Sequence, residues 1–374
     1  MSWKDIIEPA CILSKRGLMA DWYTTMRINL EAKLLSKYKS SKNIFFEDGL
    51  PIVSEDPTSI KSIKNEGLYN SYCLLRDEGP ETFYTGELSK ILVKDLREIN
   101  SFINSDDLSD YKSELTISAK TSYRNSEIHV APGLNAGPSL IDALNFLEKN
   151  WSSKNNSPES DAYENYYKAL HFSYDKRLKE MGEPKENSCT THLSVVDKDG
   201  NMVSLTQTLL SVFGSRVILP ESGILMNNGI MWFDPRQGKP NSLSKNKKPL
   251  CNMCPTIVID KSGKKIALGA SGGRRIFPSV FQTISFLLDY NMSLDDAFTT
   301  PRIDYSGENR ILANEKLAKD IIDKLNNYEK TIEIPDSVLS HSFACPNAVM
   351  IDAMGNKYGN AYIPSPCSAA ISSE

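Results

Sequence analysis

Two stretches hold residue types that could make and break an acyl bond. The first is Cys189-Thr190-Thr191-His192, a nucleophile-bearing step leading directly into β-type sequence. The second is Gly269-Ala270-Ser271-Gly272-Gly273-Arg274-Arg275, a strand end that turns on glycines into a helix. Such a turn leaves backbone N–H groups without intrahelical partners, at the helix end where negative charge is favoured. An oxyanion formed during acyl transfer needs that environment. A nearby hydroxyl would complete half of the machinery, provided a base activates it. Taken by itself, the glycine pair also fits ordinary strand-to-helix geometry. Phosphate binding lacks support, because neither Gly-x-x-x-x-Gly-Lys-Ser/Thr nor Gly-x-Gly-x-x-Gly occurs. The four histidines (129, 171, 192 and 341) are too scattered in sequence to suggest a histidine-based triad.

The elements that must hold these residues follow from the apolar pattern. The first half reads as helical, over Pro9 to Leu18, Trp22 to Lys37 and Glu87 to Leu96, with a short helix from Ser105 to Tyr111. Pro9 is expected at a first helical position. Gly137-Pro138 opens a further helix with Leu140, Leu144 and Leu147 on one face. Tyr163 to Met181 is another, whose stripe of Tyr163, Tyr166, Tyr167 and Leu170 is read as core. The period then changes to that of strands. Three hairpins are expected: 192–197 with 202–208, 256–260 with 265–269, and 348–351 with 357–362. Helices at 276–289, 293–298 and 315–325 lie between the second and third. Hairpins plus helices predict an α+β chain of stacked sheets under helix layers.

Composition narrows the function. The chain has 374 residues, 40% hydrophobic and 24% charged, with a formal charge of −4. That balance gives no electrostatic reason to expect nucleic acid or an anionic membrane as partner. The longest apolar candidate, Val280 to Leu288, falls short of the roughly 20 residues a bilayer requires. The first residues have neither the basic start nor the apolar core of a secretory leader. Seven scattered cysteines fit a reducing compartment, so a cytoplasmic location is expected. Cys251 and Cys254 form a Cys-x-x-Cys pair without a second pair or a histidine cluster, and read as small buried residues.

These residues carry a resemblance. Thr190-Thr-His-Leu-Ser-Val-Val-Asp-Lys-Asp-Gly-Asn201 resembles the start of the small subunit in the γ-glutamyltransferase (glutathione hydrolase) family. Thr206-Gln-Thr208, Phe213-Gly-Ser215, Glu221 to Asn228, Pro249 to Thr256, Gly269 to Gly273 and Pro301-Arg-Ile303 follow in the family's order. Trp3 to Ala10, Phe83 to Gly86 and Asp107 to Tyr111 are similar to its large subunit. The resemblance implies a four-layer αββα N-terminal-nucleophile hydrolase sandwich. It implies a zymogen that cuts itself between Cys189 and Thr190, giving a large-subunit-like region 1–189 and a small-subunit-like region 190–374. Thr190 would be the nucleophile, Thr208 the residue that hydrogen-bonds it, and Gly272 and Gly273 the oxyanion donors. The fragments would associate as a heterodimer, with a dimer of these also allowed. The partner would be a small-molecule γ-glutamyl or acyl-amide substrate, and no metal or organic cofactor is implied.

Four substrate-facing residues depart from the family pattern. Trp232 stands where a carboxylate receives the donor's amino group, and Leu210 where the family has Asn. Cys251-Asn252 replace paired serines that help bind the donor's carboxylate. The family also carries a further region before the Trp3 block, with an arginine that has no match here. Three readings follow: transfer or hydrolysis of γ-glutamyl amides such as glutathione, an acylase for glutaryl or other acyl-amides, and a non-catalytic binding protein.

Overall fold

The turn Lys198-Asp199-Gly200-Asn201 forms as the sequence predicts, because Asp197 Oδ1 accepts the N–H groups of Asp199 (2.9 Å) and Asn201 (2.8 Å). The computed structural model describes every residue except 57, 183–188, 338–341 and 374, so His341 lies outside the described residues. The chain forms two compact units, Met1–Leu115 with Ser211–Asn228, and Thr116–Leu210 with Gly229–Glu374. Among the described residues, no helix is long and apolar enough to cross a membrane.

The first unit is largely helical, with α1 (Trp3–Arg16), α2 (Glu66–Glu78) and α3 (Glu87–Glu98). Pro9 lies inside α1 instead of opening it. A capping box outweighs it: Ser2 Oγ accepts the Asp5 N–H and the Asp5 carboxylate accepts the Ser2 N–H. The helix expected over 22–37 breaks at Glu31, whose carboxylate binds Arg216 at 2.8 Å. Segment 211–228 is clamped onto α2 and α3. Buried Asp95 accepts the N–H groups of Glu221 (3.0 Å) and Ser222 (2.8 Å), and Asn65 donates to the Gly223 carbonyl at 2.8 Å. Gly223, at φ 68°, meets the Asn65 side chain and the Leu68 N–H so closely that no Cβ would fit.

The second unit contains β1 (Ala119–Tyr123), β2 (Ser126–Val130), β3 (Cys189–Val196), β4 (Met202–Leu210), β5 (Thr256–Ile259), β6 (Lys265–Ser271), β7 (Cys345–Ile351) and β8 (Lys357–Ala361). Six of them form one antiparallel sheet in the order β8-β7-β6-β5-β2-β1. Helices α4 (Gly137–Asn150), α5 (Ser160–Glu180) and α6 (Ile276–Asp289) enclose the core with it. Tyr163, Tyr166, Tyr167 and Leu170 are buried in that core, as the stripe predicted. Helix α6 is buried from Ile276 to Leu287, and its buried polar residues find partners inside the core, with Gln282 donating to the Ile303 carbonyl at 2.7 Å and accepting the Ile303 N–H at 3.0 Å.

The β3–β4 hairpin packs on the other face of this sheet. Its inward face is polar: His192, Ser194, Ser204 and Thr206. Its outward face carries Leu193, Val195, Val203 and Leu205, all exposed. Strand alternation is therefore inverted relative to an ordinary half-buried hairpin. Hydrogen bonds hold the polar face in place, with Ser204 Oγ donating to the Leu268 carbonyl (2.9 Å) and accepting the Thr256 N–H (3.0 Å).

Candidate active site

Thr190 and Thr208 are direct cross-strand partners near the open end of the hairpin. One step further the register slips: Cys189 pairs with Leu210, leaving Leu209 as the extra residue of a bulge. Leu210 takes φ 75°, a conformation uncommon outside glycine and asparagine, and its N–H donates to Thr208 Oγ1 at 2.8 Å. The bond between Cys189 and Thr190 thus lies opposite an irregular, conformationally constrained point of the partner strand.

Beneath the hairpin, β6 ends at Ser271, and Gly272 (φ 141°) and Gly273 (φ 62°) turn the chain into a short 3-10 turn that runs into α6. A Cβ on Gly272 would stand 2.7 Å from Ala344 Cα, so the turn admits only glycine there. The N–H groups of this pair head the helical segment, where no intrahelical acceptor exists for them. Gly269 to Gly273 also spells Gly-x-Ser-x-Gly. Ser271, however, stays in the ladder opposite Cys345, and among the described residues no hydrogen bond reaches its hydroxyl.

Ser204 bonds to Leu268, and His192, opposite Thr206, rests on Gly269. Moving from Ser204 to Thr206 along the hairpin therefore follows β6 toward its glycine end. The next inward pair in that direction is Thr190 with Thr208.

The predicted substrate residues occupy a second cluster in the same unit. Cys251 and Asn252 are buried, and Arg177 of α5 lies behind them at 2% exposure. Its guanidinium donates to the Cys251 carbonyl (2.6 Å), Asn252 Oδ1 (3.1 Å) and the Asn135 carbonyl (3.0 Å). No carboxylate lies within ion-pair distance of Arg177 among the described residues, and burial lowers its pKa. The Cys251 thiol donates to Asn135 Oδ1 at 2.9 Å, and burial raises its pKa. Cys254 is fully buried and pushed up to about 12 by the same cause, so neither thiol ionises near neutrality. Trp232 ends a 3-10 turn, half-buried, and its carbonyl accepts from Asn241 Nδ2 at 2.6 Å. Asn241 also accepts the Leu250 N–H (3.0 Å), tying Trp232 to the segment that carries Cys251 and Asn252. Neither Arg177 nor Asn241 is marked by the sequence. Both sit in stretches whose pattern signals only helix or loop, and their partners are backbone groups remote in sequence.

Comparison with known proteins agrees with this architecture. The family model described as gamma-glutamyltranspeptidase matches residues 1–189 and 183–361. A glutathione hydrolase proenzyme of Escherichia coli (strain K12) is 26% identical over 355 residues, covering 81% of this chain and 60% of the relative. An acylase ACY 1 proenzyme of Pseudomonas sp. (strain V22) is 28% identical over 337 residues, covering 80% of this chain and 60% of the relative. This chain thus spans about 60% of the length of these two relatives. The crystal structure of a cephalosporin acylase from Bacillus halodurans superposes with a TM-score of 0.85 at 18% identity, covering 98% of this chain and 73% of that one. The fold is accordingly the α+β sandwich of the N-terminal-nucleophile hydrolases, and the chain belongs to the γ-glutamyltranspeptidase family.

Proposed function

We propose that this chain is a self-processing N-terminal-threonine acyltransferase and amidohydrolase acting on γ-glutamyl amides such as glutathione. The observation that carries the reading is the pairing of Thr190 with Thr208 beside the Cys189–Leu210 bulge, on a hairpin packed over the strand that ends at Gly272-Gly273. Thr190 Oγ attacks the Cys189 carbonyl carbon, and the peptide C–N bond breaks as the proton passes to the departing nitrogen. Water then hydrolyses the resulting ester, leaving a Cys189 carboxylate and a free Thr190 amine. That amine, with an ordinary pKa of about 7.7–8.0, serves as base for the hydroxyl of the same residue. Thr190 Oγ next attacks the donor amide through a tetrahedral intermediate whose oxyanion accepts hydrogen bonds from the Gly272 and Gly273 N–H groups. Loss of the amine leaves an acyl ester on Thr190, and water or a second amine takes up the acyl group.

A second reading rests on Leu210, which is buried, and half-buried Trp232, apolar residues at two positions where the family resemblance calls for polar groups. It makes the chain an acylase for glutaryl or other acyl-amides, in keeping with the names of the Pseudomonas and Bacillus relatives. Hydrolysis of γ-glutamyl-p-nitroanilide and glutaryl-p-nitroanilide by the same preparation separates the two. A higher kcat/KM on the γ-glutamyl compound supports the first reading, and a higher value on the glutaryl compound supports the second. Cleavage of neither, by a chain that stays whole, leaves only the binding-protein alternative.

A further inference from the structure

His192 lies two residues after Thr190, yet its ring does not serve the nucleophile. Among the described residues its hydrogen-bond partners are Thr206 Oγ1 at Nδ1 (2.8 Å) and Ser194 Oγ at Nε2 (3.1 Å), both on the hairpin itself. The ring instead lies against the backbone of β6 at Gly269. A Cβ added to Gly269 would fall 2.2 Å from the ring's Cε1 and 2.5 Å from each ring nitrogen. The His192 carbonyl accepts from Asn347 Nδ2 at 2.8 Å, so the same residue is also tied to β7. Burial pushes the imidazole down to about 4, which keeps it neutral and lets two hydroxyls satisfy both nitrogens.

We propose that His192 and Gly269 form a spacer lock: the imidazole seated on the glycine sets the height of the hairpin over β6, and with it the distance from Thr190 to the Gly272-Gly273 turn. Thr190 is the next inward-facing residue before His192, and Gly272 lies three residues beyond Gly269. A shift at the lock therefore moves nucleophile and oxyanion donors relative to each other. This rests on the reading that Thr190 and the glycine pair are the reacting groups. His192 is a positioning residue, because it acts through Thr190 and touches no reacting atom.

The test is a double-mutant cycle on Gly269→Ala, His192→Asn and the pair, with His192→Gln alongside. The rate of self-cleavage, kcat and KM on the better p-nitroanilide, and thermal unfolding are each followed. A displacement of about 1 Å costs on the order of a hundredfold in rate, so Gly269→Ala should lose about that much in cleavage and kcat with KM unchanged. The shorter His192→Asn side chain makes room for the new methyl, and the double variant should recover about tenfold over Gly269→Ala. Gly269→Ala behaving as wild type, or a double variant no better than its worse parent, would overturn the lock while leaving the Thr190 reading intact. If neither alanine-bearing variant folds, His192→Gln decides: slowed turnover at unchanged KM supports the lock, and wild-type turnover contradicts it. A wild-type chain that neither cuts nor turns over overturns the Thr190 reading, and the lock's catalytic meaning with it.

Discussion

Arg177 is a buried cation whose partners are all neutral. Removing it strands the Cys251 carbonyl and the Asn252 amide, each at a cost of about 1–3 kcal/mol. Arg177→Met should therefore lower the unfolding midpoint. It should also raise KM for the donor by a larger factor than it lowers kcat, because the hydroxyl and glycine groups proposed for the chemistry belong to a separate cluster. Steady-state kinetics beside a urea titration read both effects. His192 supplies the pH dependence. Its folded pKa of about 4 lies below its ordinary 6.5, with burial as the cause. Between those values the unfolded chain binds a proton that the folded chain refuses. Stability should fall as pH drops from about 6.5 toward 4, by on the order of 3 kcal/mol, and this contribution is flat outside that window. Urea unfolding from pH 4.5 to 7.5 should show the slope in the Thr190→Ala background. The same background with His192→Gln should lack it.

At the scale of elements, the hairpin makes a specific demand through its inverted alternation. Val195→Thr and Leu205→Thr, on the exposed face, should change stability by no more than about 0.5 kcal/mol. Thr206→Val, on the inward face, removes the partner of His192 Nδ1 and should cost about 1–3 kcal/mol, measured on the same urea scale. The sequence made part of this fold legible. All three predicted hairpins formed, because Asp-Gly, Ser-Gly and Met-Gly turns separate runs of β-type residues. The β1–β2 hairpin was missed for two physical reasons. Ala119–Tyr123 buries little apolar surface, and its turn is made by Arg124 (φ 47°) and Asn125 (φ 63°). An arginine does not signal a left-handed turn. It is held there by bonds to Asp289 (2.6 Å), Glu148 (2.9 Å) and the Trp151 carbonyl (2.6 Å), contacts no local pattern displays. In the candidate site, the Gly272-Gly273 turn was legible from residue type, while Thr190 and Thr208 were assigned their proposed roles through the family resemblance. The bulge at Leu209 and the contact of His192 with Gly269 depend on tertiary register and were not.

At the scale of the whole molecule, packing and the proposed cut divide the chain differently. Each compact unit draws residues from both sides of the Cys189–Thr190 bond. In the second unit β2, from the first fragment, pairs with β5, from the second, in the register Val130 with Thr256 through Glu127 with Ile259. The two fragments should thus co-elute after processing under native conditions and separate only in denaturant, which size-exclusion chromatography with and without urea will show. Whether Thr190 becomes an N-terminal nucleophile is tested most directly by the intact mass of the purified chain over time. Wild type should resolve into fragments 1–189 and 190–374, while Thr190→Ala should remain a single full-length species. A wild-type chain that stays whole through long incubation, or a Thr190→Ala chain cut at the same bond, would contradict that role for Thr190.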